Sequence, residues 1–288
     1  MKFSLAASKK AILRNRFVVW ILTFRRKRYY QPHRFIRWVI YLPKFYSDKK
    51  KFLASAREQS TTVKIKDDFP VVYGIGRYLP NRHYWFQDIW AAREIAKIAA
   101  NVKSDPATPL NVLDIGSRVE GYIMALLSNN SIQVTFGDIN IPEFMSLIED
   151  SYKPLHLKVD LQDLAPGSLK NYQVISSLHV IEHLGLAKYG DKIDVNGHTR
   201  IFSDMYEAAG LGSYFVVSFP YSDQPGIWFN AGRDCDPKEM IAAAKDSRWR
   251  VESLAFVNDG WELIDFDPAS NDFFPSARYG CMMMVLKK

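Results

Sequence analysis

From residue 111 onward the chain alternates short apolar runs with stretches of helical period, and three early runs in succession carry an acidic residue at or near their end. The runs cover residues 111–115, 132–136, 155–159, 172–178, 213–219, 249–257 and 279–286, with helical patterns over 119–127, near 198–209, and over 237–244. Strands separated by helices imply a parallel sheet wound on both faces. The last two runs have little helix between them, which predicts an antiparallel hairpin at one edge. Ahead of the first strand, Trp85, Ile89, Ala92, Ala96 and Ala99 form one apolar stripe at helical spacing. The expected fold class is therefore α/β and Rossmann-like, mostly parallel with an antiparallel edge strand, preceded by a basic helical arm.

Charge divides the chain differently. Residues 1–60 hold 16 Lys/Arg against Asp48 and Glu58, a balance of +14, while the remainder is acidic at −7. A nucleic-acid groove needs Lys and Arg along the fold itself, so no nucleic-acid partner is expected. In the arm, apolar-aromatic runs over residues 17–24 and 35–42 alternate with basic clusters at 25–28 and 49–51. That pattern suits either a segment lying on an anionic membrane surface or helices packing on the domain or a second subunit. The run over residues 17–24 falls far short of the about 20 residues a spanning helix needs. No secretory signal is read, and Cys235 and Cys281 lack metal-ligand spacing, so both are expected as free thiols in a reducing compartment. The expected location is cytoplasmic, with a peripheral site at the inner membrane face left open. The expected organisation is an arm over 1–60, a connecting segment over 61–83 rich in turn residues, and a domain over 84–288.

Ligands of open α/β sheets sit beyond the carboxyl ends of the strands, so the strand ends carry the functional reading. The first strand contains Asp114 and runs into Gly116-Ser117-Arg118. Gly116 allows close backbone approach, and the following helix start offers free N–H groups. Asp138 ends the second strand, where a carboxylate can accept from both ribose hydroxyls of a nucleoside. Asp160 and Leu161 end the third. Each Asp has a helix-capping alternative. The fourth strand runs through Ser177 into Leu178-His179-Val-Ile-Glu182-His183-Leu. His179-x-x-Glu182-His183 also spells the inverted zinc-protease motif, but that motif needs a long helix and here a strand precedes it. A metal at these residues is left open and not predicted. His183 is read as general base with His179 in support, and Glu182 as facing substrate or metal, since adjacent helical residues point apart. Two polar stretches after the fourth and fifth strands carry Tyr189, Asp191, Asn230 and Arg233, expected to overhang the site and bind substrate.

The turn from Asp114 to Gly121 resembles motif I of class I S-adenosylmethionine (SAM) methyltransferases, with Arg118 standing where a second glycine is usual. Four runs in order resemble the bacterial family catalogued as domain of unknown function 268. They are His83-Tyr-Trp-Phe-Gln-Asp88-Ile-Trp-Ala-Ala92; Asp114-Ile-Gly-Ser-Arg118-Val-Glu-Gly121; Ser177-Leu-His-Val-Ile-Glu-His-Leu-Gly185 with Tyr189-Gly-Asp191; and Phe229-Asn230-Ala-Gly-Arg233. Arg118 belongs to that family's pattern. Gly232 departs from it, where a His is more usual. The resemblance implies a class I methyltransferase fold, SAM as cofactor, and a place in surface-polysaccharide or nucleotide-sugar pathways. Asp114, Gly116, Ser117, Asp138, Asp160, Leu161 and Ser177 would then hold the cofactor, and His183, His179 and Glu182 would carry the chemistry. The expected function is methylation of a hydroxyl on a sugar or glycan precursor. The alternatives are a nucleotide-sugar-using enzyme on the same scaffold and a non-catalytic membrane-proximal binding protein.

Overall fold

A computed structural model describes residues 83–102, 108–117, 119–139, 155–186, 192–228, 232–270 and 273–288, with a few single positions between 40 and 54. The chain divides into two compact units, Met1–Leu79 and Pro80–Lys288, and the second carries the sheet. The basic runs of residues 1–60 that motivate membrane binding lie almost wholly outside the described residues. Among the described residues, no helix is long and apolar enough to cross a membrane.

The second unit opens with α1 (His83–Val102), then β1 (Leu110–Ile115). A π-helical stretch, Val119–Ile123, leads into the short α2 (Met124–Leu127). β2 (Ile132–Asp138), β3 (Leu155–Lys158) and β4 (Val174–Leu178) follow, then a 3-10 turn at Ile181–His183. After α3 (Gly197–Ala208) and β5 (Tyr214–Tyr221), a small hairpin is formed by β6 (Gly226–Trp228) and β7 (Gly232–Asp234). The unit ends with α4 (Pro237–Asp246), β8 (Arg250–Val257), β9 (Leu263–Phe266) and β10 (Gly280–Lys287).

The main sheet has the order β3-β2-β1-β4-β5-β10-β8-β9. β3, β2, β1, β4 and β5 are parallel neighbours, in registers such as Asp114 opposite Phe136 and opposite Ser176. β10 runs antiparallel between β5 and β8. This is the Rossmann-like class I methyltransferase fold: the order reverses beside β1, and the last long strand inserts antiparallel beside β5. The edge strand is antiparallel, but it is β9, which periodicity does not reveal. The pair of late strands does form a hairpin-like pairing, with β10 inside the sheet instead of at its edge.

Alternation along β10 shows how the sheet is covered on both sides. Met282, Met284 and Leu286 join a core with Phe202 and Met205 of α3 and Met240 and Ala244 of α4. Cys281, Met283 and Val285 join a second core with Trp90, Ala91 and Ile95 of α1. Successive strand residues point to opposite faces, so a fully apolar strand needs helices on both. α4 starts where Asp236 accepts from Lys238 N–H at 2.8 Å, with Pro237 in the first turn. Both cysteines are buried free thiols, and burial raises each thiol's pKa well above its ordinary value.

The α1 stripe needs correction. Trp85 and Ile89 are exposed, and the buried face is His83, Gln87, Trp90, Ala91, Ile95, Ile98 and Ala99. Gln87 goes inward because the sheet supplies a partner: Ser218 Oγ donates to Gln87 Oε1 at 2.8 Å. That bond offsets the cost of burying Gln87 and turns the helix away from its most apolar-looking stripe.

Candidate functional site

At the carboxyl ends of β1 to β4 lies a cavity of about 420 Å³, within the usual size range for small-molecule sites. Its walls include Gly116, Asp138, Asp160, Leu161, His179 and His183, all singled out by the sequence. Tyr84, Ile139, Val159, Gln162, Val180 and Leu184 also line it and were not. The strand ends converge because the parallel registers stagger them to one edge: Ile115 pairs with Gly137, and Asp138 with Lys158.

Gly116 turns the chain off β1 with φ at +73°, in the left-handed region that favours glycine. Its N–H donates to Gly137 O at 2.8 Å, and a Cβ there would sit 3.1 Å from both methyl carbons of Val180. Both backbone shape and packing therefore require glycine. Asp138 leaves β2 half-buried. Asp160 is exposed and accepts from Gln162 N–H at 2.9 Å through Oδ1, while Leu161 beside it is buried. Gln162 in turn exchanges two hydrogen bonds with the Lys192 backbone, fixing the rim beyond β3.

Three of the expected cofactor residues stand behind the wall. Asp114 is fully buried, and Ser117 Oγ and Ser176 Oγ each donate to its Oδ1 at 2.7 Å. Ser117 also accepts from Leu178 N–H at 2.9 Å, and Ser177 Oγ donates to Ile115 O at 3.0 Å. These groups knit the end of β1 to the end of β4 and do not line the cavity. Burial pushes the Asp114 carboxyl up to about 7, against the two serine hydrogen bonds that pull it down.

The turn after β4 differs from expectation in the same manner. It is a 3-10 turn instead of an α-helix, which folds Glu182 back over His179. Glu182 has a side chain only 3% exposed, with Oε1 3.1 Å from His179 Nδ1 and 3.7 Å from His183 Nε2. It is buried and not among the residues that line the cavity, unlike the expectation from helical geometry. Both imidazoles reach the cavity wall. The His179 ring stacks on His83 at 4.8 Å and lies 4.6 Å from the Tyr84 ring. On the other side of the turn, a Cβ on Gly232 would sit 3.2 Å from His183 Nδ1. The lack of a side chain at Gly232 thus lets β7 close against this ring.

Arg233 is also corrected. It is buried, and its guanidinium donates to four backbone carbonyls: Nη1 to Leu184 at 2.6 Å and Glu182 at 3.2 Å, and Nη2 to Asp194 and Val195 at 3.2 Å each. It clamps the segment after β4 to the β6–β7 hairpin and is not among the residues that line the cavity. Tyr189, Asp191 and Asn230 fall outside the described residues. Among the described residues, no group of three or more His, Cys, Asp or Glu is arranged to hold a metal ion.

A nucleoside-bearing group fits what remains: two carboxylate-bearing strand ends, a glycine turn, and apolar walls from Ile139, Val159 and Leu161. Tyr84 and His83 are the functional neighbours that motif reading left without a role. Their signal was the aromatic-rich helix start His83-Tyr84-Trp85-Phe86.

No family model and no curated protein matches the chain. Among solved structures it is similar to 1,6-didemethyltoxoflavin-N1-methyltransferase of Burkholderia thailandensis with bound S-adenosylhomocysteine (14% identity, TM-score 0.45, 72% of this chain and 83% of that one). It is also similar to a phosphoethanolamine N-methyltransferase of Haemonchus contortus (11%, 0.47, 74% and 55%). A third is a putative sarcosine dimethylglycine methyltransferase of Galdieria sulphuraria (12%, 0.47, 70% and 85%). At such identities and scores the likeness has no bearing on activity, and the strand order alone carries the fold.

Proposed function

We propose that this domain is a SAM-dependent methyltransferase acting on a hydroxyl of a sugar or glycan precursor in surface-polysaccharide biosynthesis, within the family of domain of unknown function 268. The supporting observation is one cavity that combines Asp138 and Asp160 at adjacent strand ends with two imidazoles on its far wall. Bound SAM supplies a methyl group activated by its sulfonium. Asp138 accepts from the ribose hydroxyls, Asp160 with Leu161 and Val159 receives the adenine, and Gly116 lets the backbone approach. Positioning does most of the work of an in-line transfer, and a histidine of the cavity takes the hydroxyl proton. Tyr189, Asp191 and Asn230 are proposed to contact the acceptor. The arm over 1–60, followed by the segment over 61–83, is proposed to hold the domain over 84–288 at the anionic cytoplasmic face of a membrane.

Asp138 and Asp160 read a nucleoside and not a sulfonium, which also favours a second reading, an enzyme that uses a nucleotide-sugar in the same cavity. Calorimetry on the full chain separates them. S-adenosylhomocysteine should bind at one site, and a nucleotide-sugar should not displace it. No binding of S-adenosylhomocysteine or SAM would refute the proposal, and competitive nucleotide-sugar binding would support the second reading.

A further inference from the structure

Resting on that methyl-transfer reading, we propose that Nε2 of His179 is the proton-accepting atom of the site, with Glu182 as the positioning residue that fixes its tautomer. Four observations converge on His179. It directly follows β4 with φ at +55°, a left-handed conformation that non-glycine residues rarely adopt. Such backbone geometry persists where surroundings over-determine it, and it clusters at functional sites. Here the surroundings do so: His179 N–H donates to Ser218 O at 3.0 Å, and the ring is held between His83 and Glu182. His179 lines the cavity although its side chain is only 3% exposed.

The proton bookkeeping follows from Glu182. As an ionised carboxylate Glu182 would only accept, and its contact with Nδ1 at 3.1 Å would then put the ring proton on Nδ1. Nε2 then carries the lone pair, and among the described residues nothing hydrogen-bonds to this buried atom. His183 sits farther from the same carboxylate. Its ring nitrogen Nε2 is 3.7 Å from the same carboxylate oxygen, and its side chain is 21% exposed. The groups that touch the His179 ring are Glu182 from the turn and His83 and Tyr84 from α1. Among the described residues, Glu182 is the carboxylate that touches the ring.

In the step itself the acceptor's O–H proton passes to Nε2 while a carbon–oxygen bond forms to the methyl carbon. The carbon–sulfur bond breaks with its electron pair left on sulfur. The resulting imidazolium is stabilised by Glu182 and later returns its proton to solvent.

The test is long-range proton–nitrogen NMR of the full chain labelled at the imidazole nitrogens, with His179 assigned by its loss in His179→Gln. The parent should show His179 protonated at Nδ1 and bare at Nε2 at neutral pH. Glu182→Gln should shift that ring toward the other tautomer, and His183→Gln should leave it unchanged. A parent ring protonated at Nε2, or one indifferent to Glu182→Gln, overturns the proposal. Turnover is read in parallel as S-adenosylhomocysteine release with a mixture of nucleoside-diphosphate hexoses and methyl glycosides as acceptors. His179→Gln should lower kcat about 100-fold or more, the usual range for a general base, with S-adenosylhomocysteine affinity kept within a few-fold. An equal loss in His183→Gln alone would overturn the choice between the two histidines. No turnover by the parent, with the tautomer as stated, would overturn the methyl-transfer reading and not the placement of the lone pair.

Discussion

Replacing Arg233 with Met tests whether this residue clamps the fold or meets a ligand. The guanidinium is 3% exposed and donates to four carbonyls, one of them, Leu184 O, at 2.6 Å and three at 3.2 Å. A charge-assisted bond contributes about 1.5–3 kcal/mol net, and each longer one about 0.5–1 kcal/mol. Met fills much of the volume but leaves all four carbonyls without this donor. The expected loss is therefore about 3–6 kcal/mol, overlapping the scale seen when one partner of a buried charged group is removed. For a unit of this size that corresponds to roughly 10 °C in Tm. Urea unfolding gives the magnitude. Hydrogen exchange gives the place, since the amides of Leu186, Asp194 and Gly197, which bond to carbonyls of the clamped segment, should lose protection first. The reasoning is refuted if Arg233→Met unfolds within 1 kcal/mol of the parent, and a raised KM for acceptor alongside would make Arg233 a ligand contact after all.

Three further outcomes are expected. Asp138→Ala should weaken S-adenosylhomocysteine by about 1.5–3 kcal/mol, the range for hydrogen bonds to a charged acceptor; calorimetry showing unchanged affinity would remove Asp138 from the nucleoside site. Burial raises the Asp114 carboxyl to about 7, so the native state keeps a proton that the unfolded chain loses near pH 4. Its contribution to stability is present below that pH and fades as pH rises through 7. Asp114→Asn, which keeps an oxygen for Ser117 and Ser176, should flatten the slope of stability between pH 4 and 7, and identical slopes in parent and variant would contradict the assignment. In flotation with vesicles containing anionic lipid, the full chain should bind less as salt rises; neutralising Arg25, Arg26, Lys27 and Arg28 with no change in binding would remove the arm from membrane contact.

The sequence by itself determined the layered α/β plan and the edge where chemistry should lie. Period and strand length are local properties, and strand ends point to one edge once the strands are parallel. Gly116, Asp138, Asp160, His179 and His183 could therefore be chosen from spacing alone, and all reach one cavity. Only the tertiary structure decided which polar side chains face inward and for whom. Asp114, Ser117 and Ser177 share the same strand ends but bond across β1 and β4. Arg233 reads as a ligand contact until the carbonyls of a segment some forty residues away are seen to occupy it. Glu182 changes role because a 3-10 turn replaces a helix, and α1 rotates because Ser218 on a distant strand satisfies Gln87. A buried polar group goes where a partner exists, and partners distant in sequence leave no periodic trace. β9 and the β6–β7 hairpin escaped for a related reason: three or four residues at a sheet margin are too short to show a period, and pairing alone defines them.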